Sequence, residues 1–355
     1  MNKNWLPLLP ALISLSSLLY LHGVCLPGAK ACTEVLLNKS KGLVISGRTL
    51  DYDCEMGSKI CFKAKGSPVS DPGLRFTRLD GAPLKWTAKY SAVMVDAFDE
   101  PAYVDGMNTE GLSVGTLWHS DTQPAKTVEA GKNGLANVSL VEYILENAKN
   151  IDEAKQLVSN LSLVISIYKG SPMALHWIVT ERSGKSLVIE LKDGRPKFFE
   201  EATAVGVLAN APSYDMQLDN LKECQNKWGS DSYVLPGDYQ SKSRFVKSAF
   251  LVAHLPEFKT ADEGVAAATQ ILHNVESPRG AQGPKGSYTQ WMVVRDQSNL
   301  RYVVMGVKHS APKVIDLRAI DFAQLQGRRL AVESAAAGDV AQSLELKSAS
   351  SGGTH

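Results

Sequence analysis

Most of the chain between residues 33 and 118 shows short apolar runs, or apolar positions alternating with polar ones, bounded by turn-forming residues. This pattern is typical of β-strands, because successive side chains of a strand point to opposite faces. A turn-forming cluster at 38–42 joins the first two strands as a hairpin. The strands predicted in this part of the chain are 33–37, 43–50, 59–64, 91–96 and 112–118.

Beyond residue 139 apolar residues recur every three or four positions, which is the spacing of an amphipathic helix. Asn137 or Ser139 would cap the first of these helices, and Thr260 with Glu263 forms a capping-box pattern at the last. The predicted helices are 139–150, 151–161, 214–227, 243–254 and 260–274, and the predicted hairpins are 175–180 with 186–191 and 288–295 with 301–307. Strands and helices do not alternate regularly, so the pattern favours an α+β sandwich over a doubly wound sheet.

The two ends of the chain differ from the rest. Residues 1–31 contain no acid, carry a long apolar run, and close with the small-x-small pattern Ala29-Lys30-Ala31. These features predict a signal peptide that is removed on secretion, with an N-terminal membrane anchor as the alternative. Residues 334–355 are rich in Ala, Ser and Gly and are predicted to be a disordered tail, which leaves 32–333 as one domain.

The composition excludes several classes of function. The chain has 355 residues, with 38 Lys and Arg against 37 Asp and Glu, so it lacks the basic excess that nucleic-acid binding requires. The hydrophobic fraction of 44% is that of a globular protein. No CxxC or HExxH motif is present, so we expect neither a metal nor a cofactor. A secreted location permits a Cys54–Cys61 disulfide, but the sequence alone leaves that pairing open.

Cleavage after Ala31 would make Cys32 the first residue of the mature protein. An N-terminal nucleophile carries its own base, because the free α-amine has a pKa of about 7.7–8.0 and lies beside the side chain. A thiol is also the easiest of these nucleophiles to activate. Two plainer interpretations remain: a chance cysteine, or a lipid-modified one.

The predicted hairpin adds two charged residues to this site. Its second strand runs back toward the chain start and would bring Arg48 and Asp51 near Cys32. A guanidinium there favours the thiolate and the free amine, and a carboxylate can orient the amine. The competing interpretation is an ordinary surface ion pair.

Several sequence blocks in fixed order resemble the choloylglycine hydrolase family, and in particular its Gram-negative-type branch. The blocks are Cys32-Thr33, 47–52, 105–112, 208–212, 235–239 and 243–245. The family contains bile salt hydrolases and penicillin V acylases and belongs to the N-terminal nucleophile hydrolases. The resemblance implies a four-layer αββα sandwich, a small-molecule substrate with a linear amide, and a homotetramer.

Carried over residue by residue, the resemblance assigns Cys32 as the nucleophile and its α-amine as the proton shuttle. Arg48 and Asp51 would support and orient them. Asn210 would donate its side-chain amide to the oxyanion, and Arg244 would complete the polar network around the thiol. Considered without the resemblance, Asn210 would pass for a turn residue and Arg244 for a solvated charge.

The substrate pocket is expected to have an apolar, aromatic rim that includes Trp118, Tyr52 and Phe62. Trp118 stands where many bile salt hydrolases have Asn, and the segment 223–233 is short where other members carry an assembly loop. Both departures argue against bile salts, and the short segment also weakens the homotetramer prediction. They leave penicillin V-type amides and acyl homoserine lactones as candidate substrates of a secreted, periplasmic amidase.

Two alternatives compete with the cysteine amidase. Residues 111–115 match G-x-S-x-G, which would make Ser113 a nucleophile if it stood on a strand–turn–helix elbow. The polar stretch that follows Ser113's predicted strand argues against such an elbow. The second alternative is a secreted or lipid-anchored binding protein, without membrane insertion after cleavage, that keeps the fold but not the activity.

Overall fold

The computed structural model describes residues 31–79, 82–230 and 233–340. The predicted signal peptide therefore lies outside the described residues, except for Ala31. Among the described residues, no helix has both the length and the apolar character needed to cross a bilayer.

The strands agree with the predicted ones to within one or two residues wherever a strand was predicted, and shorter strands lie between them. In chain order they are β1 (Thr33–Leu37), β2 (Ile45–Tyr52), β3 (Lys59–Lys63), β4 (Pro68–Ser70), β5 (Lys85–Thr87), β6 (Ala92–Ala97), β7 (Glu100–Asn108), β8 (Ser113–Trp118), β9 (Asn133–Ala136), β10 (Leu161–Val164), β11 (Ile167–Tyr168), β12 (Ser171–Pro172), β13 (Leu175–Thr180), β14 (Ser186–Lys192), β15 (Arg195–Phe199), β16 (Val207–Ala209), β17 (Tyr288–Asp296), β18 (Arg301–Gly306), β19 (Lys313–Asp316), β20 (Arg329–Ala331) and β21 (Gly338–Asp339).

The helices are α1 (Leu140–Asn147), α2 (Ile151–Ser159), α3 (Ala202–Val205), α4 (Tyr214–Gln225), α5 (Ser241–His254), α6 (Ala261–His273) and α7 (Phe322–Leu325). All five predicted helices form, and α3 and α7 are short helices that were not predicted. The predicted cap of α1 is wrong, because neither Asn137 nor Ser139 makes a side-chain capping hydrogen bond. Thr260 caps α6 by accepting a hydrogen bond from the N–H of Glu263. Asn150 does the same for α2, which separates α1 from α2.

Two sheets stack face to face and are covered by helices. The first has the order β16-β1-β2-β17-β18-β19-β21, and the second has the order β15-β14-β13-β8-β7-β6-β3-β20. Helices α5 and α6 pack on the first sheet, and α1 packs on the second. The predicted α+β fold with four αββα layers is confirmed. Within the described parts of these two sheets, neighbouring strands are antiparallel apart from the β19–β21 pair, and the separate β9–β10 pair is parallel.

A buried ionic cluster joins the two sheets. Arg295 on β17 binds Glu34 on β1, with Nη1 and Oε1 2.5 Å apart, and its Nε lies 3.0 Å from Asp105 Oδ1 on β7 of the second sheet. All three side chains are buried. Gly115 makes room for the cluster, because a Cβ there would lie 2.8 Å from the Glu34 carboxylate.

This cluster also explains the G-x-S-x-G match. Gly115 faces the ions, and Gly111 has φ +79° in the turn before β8, a conformation that favours glycine. Ser113 is buried at the start of β8 and is followed by strand. No strand–turn–helix elbow forms at residues 111–118, so the structure does not support the serine interpretation.

The structure corrects one prediction and answers a question that the sequence left open. The fold continues beyond residue 333, because Gly338–Asp339 pairs with β19 and Val340 is buried. The Cys54–Cys61 disulfide does not form, because Cys61 keeps a free thiol. That thiol lies 3.4 Å from the Asp96 carboxylate, and burial raises its pKa to about 12.

The ionic cluster yields a stability prediction. Arg295→Met is expected to lower the free energy of unfolding by about 3–5 kcal/mol, because two buried carboxylates lose their cation. Urea denaturation measures the change. The matched control is Arg318→Met, which removes the exposed pair with Asp316 and is expected to cost at most about 1 kcal/mol. Equal losses in the two variants would contradict the role given to the cluster.

Candidate active site

Cys32 directly precedes β1, the strand that lies between β16 and β2 in the first sheet. Thr33, the next residue, is registered with Thr49 on one side and with Ala209 on the other. The sulfur of Cys32 is 3.8 Å from the backbone oxygen of Asp51, and the residue is buried with 4% of its surface exposed. The hairpin therefore returns β2 to the chain start, as the sequence predicts.

Arg244 connects three parts of this site. Its Nη1 donates to the Cys32 carbonyl oxygen at 2.5 Å and to the Thr33 hydroxyl, and its Nη2 donates to Asn210 Oδ1 at 2.9 Å. The guanidinium is buried at the start of α5 and its Nε binds the carbonyl of Tyr239. Arg244 is thus an interior residue and not the solvated charge that its surroundings in the sequence suggest.

Asn210 follows β16, and hydrogen bonds hold its side chain and its backbone oxygen. Besides the bond from Arg244, its Nδ2 donates to the Trp118 carbonyl oxygen at 2.9 Å. Its own carbonyl accepts from Gln217 on α4 at 3.0 Å and from Ser241 on α5 at 2.9 Å. An amide nitrogen carries two hydrogens, so the bond to Trp118 leaves one for a further acceptor.

Asp51 presents its carboxyl group on the helix-facing side of β2. Thr289 donates to Oδ1 at 2.8 Å, while Oδ2 is buried. Burial raises the pKa of Asp51 to about 7, against the opposing effects of the Arg244 charge and the Thr289 hydrogen bond. This carboxyl group therefore changes its charge near neutral pH.

Arg48 points into the space between the sheets, on the same face of its sheet as Cys32. Its Nη1 donates to the Val104 carbonyl at 2.6 Å and lies 3.6 Å from Asp105. The guanidinium also stands 5.5 Å from the centroid of the Trp291 ring. Arg48 thus links the start of the chain to the ionic cluster, and it is buried, unlike a surface ion pair.

A cavity lined in part by Cys32 opens beside the chain start. Its walls are mostly apolar and come from both sheets and the loops at their ends. The aromatic lining residues are Tyr52, Phe76, Phe98, Tyr103, Trp118 and Tyr168, and the larger aliphatic ones are Leu50, Met56, Val104, Leu117, Val138, Met173 and Leu175. A cavity with this lining suits a mostly apolar small molecule.

Four rings form a connected row along this cavity. Phe98 stacks on Tyr168 with centroids 4.7 Å apart, and Tyr52 meets Phe98 edge-on at 5.2 Å. Phe76 continues the row beyond Tyr168 at 5.7 Å. Phe98 has φ 60°, a left-handed conformation that a bulky residue adopts at a cost of about 1–3 kcal/mol. The tight turn between β6 and β7 imposes this conformation and holds the ring against the cavity.

Of the three predicted pocket residues, Trp118 and Tyr52 line the cavity and Phe62 does not. Phe62 lies on β3 and packs in the hydrophobic core. No pattern in the sequence indicated Phe98, in the turn between β6 and β7, or Tyr168, on the two-residue strand β11. Thr289 and Gln217 were not indicated either, because their roles depend on contacts between distant segments.

The fold and this site define the class of protein. The structure is similar to that of penicillin V acylase from Agrobacterium tumefaciens, with a TM-score of 0.72 and 24% identity, covering 82% of this chain and 88% of that one. It is also similar to a variant of conjugated bile acid hydrolase from Clostridium perfringens, with a TM-score of 0.69, covering 82% of this chain and 94% of that one. The chain therefore has the αββα fold of the N-terminal nucleophile hydrolases.

Sequence comparison identifies the family. The chain is 29% identical over 268 residues to penicillin V acylase of Pectobacterium atrosepticum, covering 69% of this chain and 70% of that protein. It is 26% identical over 274 residues to a bile salt hydrolase/transferase of Clostridium perfringens, covering 70% and 80%. The family model for linear amide C–N hydrolases, choloylglycine hydrolase family, matches residues 32–326. The chain belongs to this family and is a hydrolase of linear amides.

The raised pKa of Asp51 predicts how stability depends on pH. The folded protein keeps a proton on Asp51 up to about pH 7, whereas an unfolded aspartate loses it near about pH 3.9. Folding therefore binds a proton across this window, so Asp51 makes the protein less stable as pH rises through it.

We expect Asp51→Asn to abolish this contribution. Measured by denaturation at pH 4 and pH 8, the variant should gain stability relative to the wild type by roughly 3–4 kcal/mol as the pH rises. Comparing the two proteins cancels the other titrating groups. A constant difference between them over this range would show that Asp51 has an ordinary pKa.

Proposed function

We propose that this protein is a cysteine amidase that hydrolyses amides of apolar carboxylic acids through a thioester on Cys32. The observation that carries the proposal is that Cys32 lines an apolar cavity while Arg244 links the Cys32 backbone to the side chain of Asn210. A nucleophile, an amide donor and an acyl-binding cavity thus meet at one place.

Acylation would proceed in two steps. Cleavage after Ala31 frees the α-amine of Cys32, which takes the thiol proton as sulfur attacks the amide carbonyl carbon. The carbonyl oxygen becomes an oxyanion, and the second N–H of Asn210 Nδ2 is available to bind it. The C–N bond then breaks, and the proton held by the α-amine passes to the departing amine. The product is a thioester between Cys32 and the acyl group.

Deacylation repeats the sequence with water. The α-amine takes a proton from a water molecule as the water oxygen attacks the thioester carbon. The C–S bond then breaks, the carboxylic acid leaves, and the proton passes from the α-amine to the Cys32 sulfur, which restores the enzyme. Asp51 would orient the α-amine, and it does so best when ionised. Arg244 would hold the Cys32 backbone in place during both steps, and Arg48 would support the chain start from the space between the sheets.

The cavity favours an acyl group that contains an aromatic ring. The row of rings from Tyr52 to Phe76 offers flat faces and edges, with which aromatic pairs contribute about 0.5–1.5 kcal/mol beyond burial. Trp118 adds an apolar wall where it also accepts the Asn210 amide bond. We therefore place phenoxyacetyl amides of the penicillin V type first, followed by long-chain acyl homoserine lactones and then conjugated bile salts.

The mechanism requires a free amine on Cys32, so we also propose that the protein is secreted and loses residues 1–31. The small-residue pattern before Cys32 supports this step. We propose the periplasm as its location and a homotetramer as its assembly, as the family resemblance implies.

The first experiment compares wild type with Cys32→Ser and Cys32→Ala. On penicillin V, both variants are expected to fold but to lose kcat/KM by about 10³-fold or more. The serine side chain ends in a weaker nucleophile, a hydroxyl group, and the alanine side chain has no nucleophile. Mass spectrometry of the wild type should show Cys32 as the first residue and an acylated form during turnover. Cys224→Ser removes a half-buried thiol on α4 and should change nothing.

The outcomes separate the candidate functions. Full activity in Cys32→Ser, or an N-terminus other than Cys32, would contradict the thioester mechanism. Binding of these amides without any acylated form would indicate a binding protein on this fold. Turnover of glycocholate and taurocholate alone would overturn the order of substrates.

Phe98 allows acyl binding to be tested apart from folding. Phe98→Gly removes a ring from the cavity but also relieves the strained backbone, so the free energy of unfolding should stay nearly constant. KM for penicillin V should rise by about 2–10-fold, because the stacking contact with the acyl group is lost.

Asp99→Gly is the matched control. Asp99 has φ 58° in the same turn, lies outside the cavity lining, and should leave KM unchanged when replaced. If Phe98→Gly left KM at the wild-type value, the ring row would not contact the acyl group.

A further inference from the structure

A buried cluster of two imidazoles and one carboxylate lies beside the active site, outside the proposed chemistry. His119 follows β8, His176 lies on β13, and Glu190 lies on β14. Each of the three is at most 4% exposed. One donor atom from each residue lies within 4.8 Å of the other two.

The three side chains are joined only weakly. His176 Nδ1 makes one long hydrogen bond of 3.4 Å to Glu190 Oε1, and His119 Nε2 is 3.9 Å from the same oxygen, whereas good N–H···O bonds span about 2.7–3.2 Å. A loosely bonded gap between buried polar groups commonly holds a water molecule or an ion.

We propose that His119, His176 and Glu190 form a binding site for a divalent transition metal, with zinc as the best match. Two imidazoles and one carboxylate are typical zinc donors, with bonds of about 2.0–2.2 Å. The candidate donor atoms lie within 4.8 Å of one another. The two rings are stacked, with centroids 4.8 Å apart and planes 16° from parallel, so metal binding requires the rings to turn until their in-plane lone pairs converge on one point.

The site would stabilise the segment that carries Asn210. Glu190 Oε1 accepts the N–H of Tyr214 at 2.7 Å, at the first residue of α4, four residues after Asn210. His119 directly follows Trp118, whose carbonyl binds the Asn210 amide. A metal ion here would hold both sides of the Asn210 segment without contacting the substrate.

The test uses untagged mature protein, stripped with a chelator and then equilibrated with zinc chloride. After gel filtration, elemental analysis should find one zinc per chain, and zinc should raise Tm because it binds the folded state. His176→Ala and Glu190→Gln should lower the affinity by about 100-fold or more, since even an outer-shell partner costs about 10–100-fold. His273→Ala, which removes an exposed His–Glu pair, should keep full binding.

Cobalt distinguishes this site from the thiols. Co²⁺ in place of zinc should give a visible spectrum of nitrogen and oxygen ligation that survives alkylation of the cysteines. His119→Gln keeps the side-chain volume and serves if His176→Ala fails to fold. Wild-type protein that retains no zinc would overturn the proposal, as would unchanged stoichiometry in the cluster variants; either result would assign the gap to water. A variant that loses the metal but keeps amidase activity, or keeps the metal but loses amidase activity, shows that the metal site and the amidase mechanism can be tested independently.

Discussion

The arrangement of the active site depends on one buried guanidinium. Arg244 donates to the Cys32 carbonyl, the Thr33 hydroxyl and the Asn210 side chain, and all of these groups are removed from water. A buried charge must be fully bonded, and breaking such contacts typically costs several kcal/mol. The start of β1 and the end of β16 are therefore held in one register, and the separation between the nucleophile and the amide donor is set by a rigid planar group.

A second set of charges fixes the other side of the chain start. Glu34 is two residues from Cys32 and on the same face of β1, and it pairs with Arg295, which also binds Asp105 across the gap between the sheets. Arg48 approaches the same aspartate. The polar cluster thus fills the gap between the sheets next to an apolar cavity, so Cys32 stands at a boundary between ions and hydrocarbon. A thiol at such a boundary can meet an apolar acyl group.

The sequence was sufficient to predict the elements that depend on local pattern. Strand alternation and the turn at 38–42 predicted a hairpin that places Asp51 beside Cys32, and the structure confirms that contact. Asn210 and Arg244 required the family resemblance, because nothing local distinguishes them from a turn residue and a surface charge. The disorder predicted from composition is wrong as far as Val340, because this Ala- and Gly-rich segment still contributes one strand and one buried side chain.

Residues that meet only through tertiary packing gave no signal in the sequence. Phe98 stands at a turn position where glycine or asparagine would be expected, so its role depends on the stack with Tyr168. His119, His176 and Glu190 are separated by 57 and 14 positions and meet because three neighbouring strands turn them to the same face. Their spacing matches no metal motif, so a search for motifs could not find them.

Trp118 and His119 show how these parts are coupled. The two residues are adjacent at the end of β8. Trp118 lines the acyl cavity, and its carbonyl accepts the Asn210 amide. His119 joins the cluster in which Glu190 holds the first turn of α4. A movement of this strand end would therefore displace the cavity wall, the amide donor and its supporting helix together. Rigidity at this one position then serves both recognition of the acyl group and stabilisation of the oxyanion, which explains why so many buried polar contacts converge there.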